Sequence, residues 1–151
     1  MSKFTKDDYF SAAFERVNDS KKLFENPQNV IGAIYFAGVA IESMFRAYIS
    51  RYTNEFYEKH NLESLYTKSL MHQYLNDSEK EKMSVSIKKA AKLWDNNFRY
   101  CSAKRLKRML GHEFAKQKKQ PKDMYKYLQT RSGELTTISE EIVRIGGEKW
   151  T

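Results

Sequence analysis

The chain is 151 residues long, 30% charged and 14% aromatic, with six Gly and two Pro. This length supports one domain with its own core, here residues 1–151, and the composition excludes a disordered polymer. A single cysteine, Cys101, excludes an intrachain disulfide, and the net charge of +8 turns attention to where the Lys and Arg residues lie.

"MSKFTKDDYF" opens the chain with acids where a signal peptide has its apolar run, so a cytoplasmic protein is expected. Thr5 suits a helix N-cap, with Asp7 and Asp8 at the positive end of the dipole. Phe10, Ala13, Phe14, Val17 and Phe24 recur at helical spacing up to a stop at Asn26-Pro27. From Val30 to about Tyr52 the second segment is apolar on nearly every face, and Gly32 and Gly38 allow neighbours to approach closely. Glu42 and Arg46 make this stretch too charged for a span of roughly 18 or more apolar residues, so a buried central helix is predicted.

Leu62, Leu65, Tyr66 and Leu70 predict a third helix within 62–75. Ser78-x-x-Glu81 has the form of a capping box, followed by Met83, Ile87, Ala90, Ala91, Trp94 and Phe98 for a fourth. The basic segment 104–122 then interrupts the regular pattern. A last helix is expected from near Asp123 through Tyr127, Leu128, Leu135, Ile138 and Ile142 to Gly146-Gly147, with Ser132-Gly133 marking a place for a kink or break. Nothing alternates with period two, so the fold class is all-α, a single bundle of four to five helices.

Residues 104–131 hold ten Lys or Arg against two acids, and the rest of the chain is neutral. A polyanion partner fits this concentration of charge, and so does a solvated basic face. Within it His112 stands among Lys104, Arg105, Lys107, Arg108 and Lys116. An imidazole can accept the proton of a ribose 2′-hydroxyl, and a guanidinium can stabilise the charge on the phosphate under attack. Lys118 and Lys119 extend the phosphate-binding candidates. Tyr125, Tyr127 and Arg131 could contact exposed bases, and Tyr127 fits the core equally well.

Elsewhere, Glu42 sits among apolar neighbours and needs a cation or a shared proton; Arg46 is the local candidate and Arg99 the distant one. His60, just before the third helix, suits a structural place at the helix start, and His72 has no visible partner. Three His and one Cys without a closely spaced ligand pair give a metal site little support, and no cofactor is expected. The absence of a Gly-rich phosphate loop and of a GxSxG elbow weakens kinase, dehydrogenase and hydrolase readings.

Three segments in order resemble the HEPN family, the helical domains named for higher eukaryotes and prokaryotes nucleotide binding. "AIYFAGVAIESMFRAYI" is similar to that family's second helix, with its small residues and embedded acid. "HNLESL" resembles its His-Asp-Leu-x-x-Leu, with Asn61 for Asp, and Arg99-Tyr100 resembles the Arg-Tyr that closes its third long helix. The resemblance covers residues 33 to 100 and implies a helical bundle, a homodimer, and in many branches a metal-independent endoribonuclease acting as a toxin or defence factor. It also implies a minimal nucleotidyltransferase as a partner. Active branches carry an Arg, four to six residues, then a His, and Arg105 and His112 match with six between. Against the commoner Arg-Asn-x-x-x-His-x-Tyr, this chain has Lys107, Arg108 and Phe114 at the Arg, Asn and Tyr positions. The resemblance thus implies Arg105 and His112 as catalytic residues, or a non-cleaving relative. A different class of function stays open, a non-enzymatic module binding a nucleotide or a nucleotidyltransferase through the basic segment, as does a structural dimer with that segment merely solvated.

Overall fold

The computed structural model describes residues 3–26, 29–116 and 121–151, and their side chains except at 103, 113–114 and 121–125. Among the described residues there are six α-helices and no strands: α1 (Lys6–Phe24), α2 (Val30–Ile49), α3 (Leu62–Ser69), α4 (Asp77–Leu93), α5 (Ala103–Lys116) and α6 (Pro121–Glu148). Two short 3-10 turns, Met71–Tyr74 and Asn96–Tyr100, follow α3 and α4.

Most helix starts are set by side chains that satisfy otherwise unpaired amides. Thr5 caps α1 reciprocally with Asp8: the Asp8 amide donates to Thr5 Oγ1 at 3.2 Å and the Thr5 amide to Asp8 Oδ2 at 2.7 Å. The capping box of α4 lies two residues before the expected one, at Asn76 and Glu79, with bonds of 2.8 and 3.0 Å. Asn and Ser are comparable caps, and starting the helix at Asp77 brings Asp77 and Glu79 into its first turn, where the dipole favours acids.

The predicted central helix is α2. Fourteen of its twenty residues are buried, and 67% of its apolar 18-residue window lies inside the bundle. Its glycines serve close packing: a Cβ at Gly38 would fall 2.1 Å from the Trp94 indole, and one at Gly32 3.0 Å from Leu23. α1 and α6 pack against α2, and Ser20 Oγ joins all three by donating to the Ala33 carbonyl (2.7 Å) while lying 2.9 Å from Thr136 Oγ1.

Four segment limits differ from the sequence reading. The third helix stops at Ser69 because Leu70 is left-handed (φ 56°), and the chain continues as a 3-10 turn. The fourth ends at Leu93, where Trp94 turns extended to lay its ring against Gly38 and give its Nε1 proton to the Tyr35 carbonyl at 3.1 Å. α6 runs unbroken through Ser132-Gly133 and Gly146-Gly147. Ser132 is fully buried there, while a Cβ would meet Phe24 at Gly133, Met44 at Gly146 and Phe14 at Gly147, so these glycines make room for neighbours inside a helix. The basic segment is itself mostly helical, and α5 is joined to the core by Leu106 and Leu110.

Candidate functional site

α5 begins after Ser102, whose Oγ accepts the Arg105 amide at 3.0 Å. The spacing of Leu106 and Leu110 buries one side and turns the other to solvent, so Lys104, Arg105, Lys107, Arg108, His112 and Lys116 are all exposed. Among the described residues, no carboxylate forms an ion pair with any of them. Arg105 and His112 are seven positions apart and return to the same side after two turns, with about 10.5 Å of rise between them. Arg108 and Lys116 flank His112 at about 6 Å of rise, one turn before and one turn after. Met109 shares the side of Arg105 and His112 and is 48% exposed. Lys118 and Lys119 lie outside the described residues, and so does the side chain of Phe114.

A second group of charged side chains has the opposite character. Glu42 and Arg46 face each other one turn apart on α2, with Arg46 Nε 2.9 Å from Glu42 Oε2 and their side chains 12% and 6% exposed. Arg46 also donates to the carbonyls of Tyr57 (2.7 Å) and Lys59 (3.1 Å), and its guanidinium lies 4.5 Å from the centre of the Phe56 ring. It thereby fastens the loop before α3 to the central helix. His60 adds a third member, its Nδ1 3.1 and 3.2 Å from the two Glu42 oxygens. The carboxylate accepts the Nδ1 proton, which leaves Nε2 as the free nitrogen of the ring. His60 immediately precedes Asn61, the N-cap of α3, so its place at a helix start agrees with the sequence. Its bond to Glu42, eighteen residues away, has no local sequence signal.

His60 and Asn61 form one wall of a cleft of about 430 Å³, and Trp94, Asp95, Asn96 and Asn97 form another. Asp95 Oδ1 caps the 3-10 turn by accepting the Asn97 amide at 2.7 Å. That turn carries Arg99 and Tyr100, whose guanidinium and ring lie 4.6 Å apart, with Tyr100 78% exposed. Burial raises the Tyr35 phenol above its ordinary value; the Arg99 guanidinium opposes the shift and the Glu42 carboxylate adds to it. Both charges therefore act on Tyr35, although Glu42 takes its hydrogen bonds from Arg46 and His60 and none from Arg99. Arg131 is engaged elsewhere, donating to the Leu93 carbonyl at 2.6 and 3.1 Å where α4 ends. Tyr127 packs partly buried against the core.

No group of three His, Cys, Asp or Glu side chains among the described residues could hold a metal ion. No protein-family model, curated protein or solved structure matches the chain.

Proposed function

We propose that this protein is an RNA-directed, HEPN-like helical bundle that holds the phosphate backbone along the exposed side of α5. The observation that carries the reading is the set of five exposed cations on that helix, without carboxylate partners among the described residues. Charges that the fold does not use internally remain available to a polyanion, and binding releases the counterions condensed on the nucleic acid. Two placements support the likeness to the HEPN family, an embedded acid on a buried second helix and Asn61 of "HNLESL" capping α3, whereas Arg99-Tyr100 lies on the 3-10 turn after α4 and does not close that helix. The same reading carries a homodimer and a nucleotidyltransferase as expected partners.

In a cleaving protein His112 takes the 2′-hydroxyl proton as the 2′ oxygen bonds to phosphorus. The bond to the 5′ oxygen breaks, that oxygen leaves with a proton from water, and a 2′,3′-cyclic phosphate remains. Arg105 stabilises the charge on phosphorus, while Arg108 and Lys104 hold the backbone.

The test is binding of a single-stranded RNA oligonucleotide over a range of salt. Engagement of four cations predicts about a 50-fold loss of affinity between 50 and 200 mM salt. Replacing Arg105 and Arg108 by Gln lowers the logarithmic slope by about 1.4. A flat salt response would sink the RNA reading and favour the partner module. Cleavage is tested in EDTA, where His112→Ala abolishes it; equal cleavage by mutant and parent overturns the role of His112.

A further inference from the structure

The cleft beside His60 contains hydrogen-bonding groups that neither the capping of helices nor the core accounts for. Asn61 uses its Oδ1 to cap α3, at 2.9 Å from the Ser64 amide, which leaves its Nδ2. Asp95 uses Oδ1 on the Asn97 amide, which leaves Oδ2. With Nδ1 on Glu42, His60 retains Nε2 for a further hydrogen bond. Asn96 and Asn97 line the cleft as well, together with Trp94. The Asp95 carboxylate thus stands in a cleft lined by three Asn residues whose amides can donate.

A 3-10 turn eclipses side chains three positions apart, which places Tyr100 on the same edge as Asn97. Tyr100 is 78% exposed and pairs with Arg99, and an exposed ring of this kind is a surface on which an unstacked base can lie. α5, with its cations, starts three residues further on.

We propose that this cleft is a pocket for one unstacked base of a single-stranded RNA, selective for a base that carries an exocyclic amine. The amine donates to Asp95 Oδ2, as acidic side chains accept from the amine of cytosine, while amide protons of the Asn residues meet the base's ring nitrogen and keto oxygen. Uracil would present a keto oxygen to the Asp95 carboxylate, an acceptor facing an acceptor. His60, held by Glu42, closes the pocket on the α3 side. The pocket deepens the RNA reading above and rests on it: α5 holds the phosphates and the cleft selects the base.

The experiment compares 12-nucleotide oligo(C) and oligo(U) for binding to the full chain, since these two pyrimidines differ in the amine and not in size. Oligo(C) is expected to bind about tenfold more tightly at fixed salt, the lower part of the discrimination a well-placed base contact gives. Asp95→Asn keeps an oxygen for the Asn97 amide, so it preserves the turn; it brings the ratio close to one and leaves the salt slope unchanged. Arg105→Gln with Arg108→Gln weakens both oligonucleotides equally and lowers the slope, which tests α5 separately. Equal binding of oligo(C) and oligo(U) by the native protein with a steep salt slope overturns the pocket and leaves the α5 reading standing. An Asp95→Asn protein that retains the native preference overturns it as well. A flat salt response with both oligonucleotides overturns the RNA reading and the pocket together.

Discussion

α2 and α5 use charge in opposite ways. On α2, Glu42 and Arg46 are nearly buried and engage each other, His60 and the carbonyls of Tyr57 and Lys59. On α5 the cations stand in solvent without a carboxylate beside them among the described residues. The difference follows from environment. A charge taken out of water must be matched within the fold, whereas an exposed one costs the fold almost nothing and stays free for a ligand. Charge on α2 is therefore matched within the fold, and charge on α5, among the described residues, is not.

The largest effect that tests this contrast comes from Arg46→Ala. It removes the guanidinium from the Glu42 carboxylate, 12% exposed and left with His60, and leaves two loop carbonyls without their donor. A loss of about 3–5 kcal/mol is expected, the range for removing one partner of a buried pair. Denaturant unfolding measures it, and a loss below about 1 kcal/mol would show that the pair is solvated and the contrast false.

Gly38→Ala comes next. The added Cβ would meet the Trp94 ring at 2.1 Å, so the indole must leave its bond to the Tyr35 carbonyl or α2 must shift. Overpacking of this kind costs about 1–3 kcal/mol, against which the gain in helix propensity of about 1 kcal/mol is the smaller quantity. A more stable Gly38→Ala protein, measured by thermal unfolding, would mean that α2 and Trp94 are not in close contact.

Legibility in the sequence follows the range of the interactions. Thr5 with Asp8, the apolar stretch of α2 and the spacing of Met83, Ile87 and Ala90 are local patterns, and each marks its helix correctly. The capping box of α4 and the stop at Leu70 were missed locally, and the other failures depended on distant partners. Gly133, Gly146 and Gly147 look like breaks by composition, yet they sit within α6 because Phe24, Met44 and Phe14 occupy the space their side chains would need. Trp94 continues the period of α4 in the sequence and leaves the helix in the structure to reach Gly38 and Tyr35, on another helix. Of the site residues, the Glu42 and Arg46 pair is one helical turn apart and legible, whereas His60 joins it only through folding. On α5, Leu106 and Leu110 reach the core, while Met109, apolar by type, is exposed by its angle on the helix.

The smallest effect is the sharpest on the α5 side. Gly111 lies between Leu110 and His112 in the helix, has an ordinary helical backbone, and a Cβ there meets no described atom within 4 Å. The same substitution that is costly at Gly38 should therefore stabilise at Gly111, by about 0.5–1 kcal/mol, through helix propensity alone. Because it alters no charge, RNA affinity and its salt slope should hold within error while thermal stability rises. A Gly111→Ala protein that is destabilised would mean that the solvent side of α5 is covered, and a surface covered by protein is not free to bind a phosphate backbone.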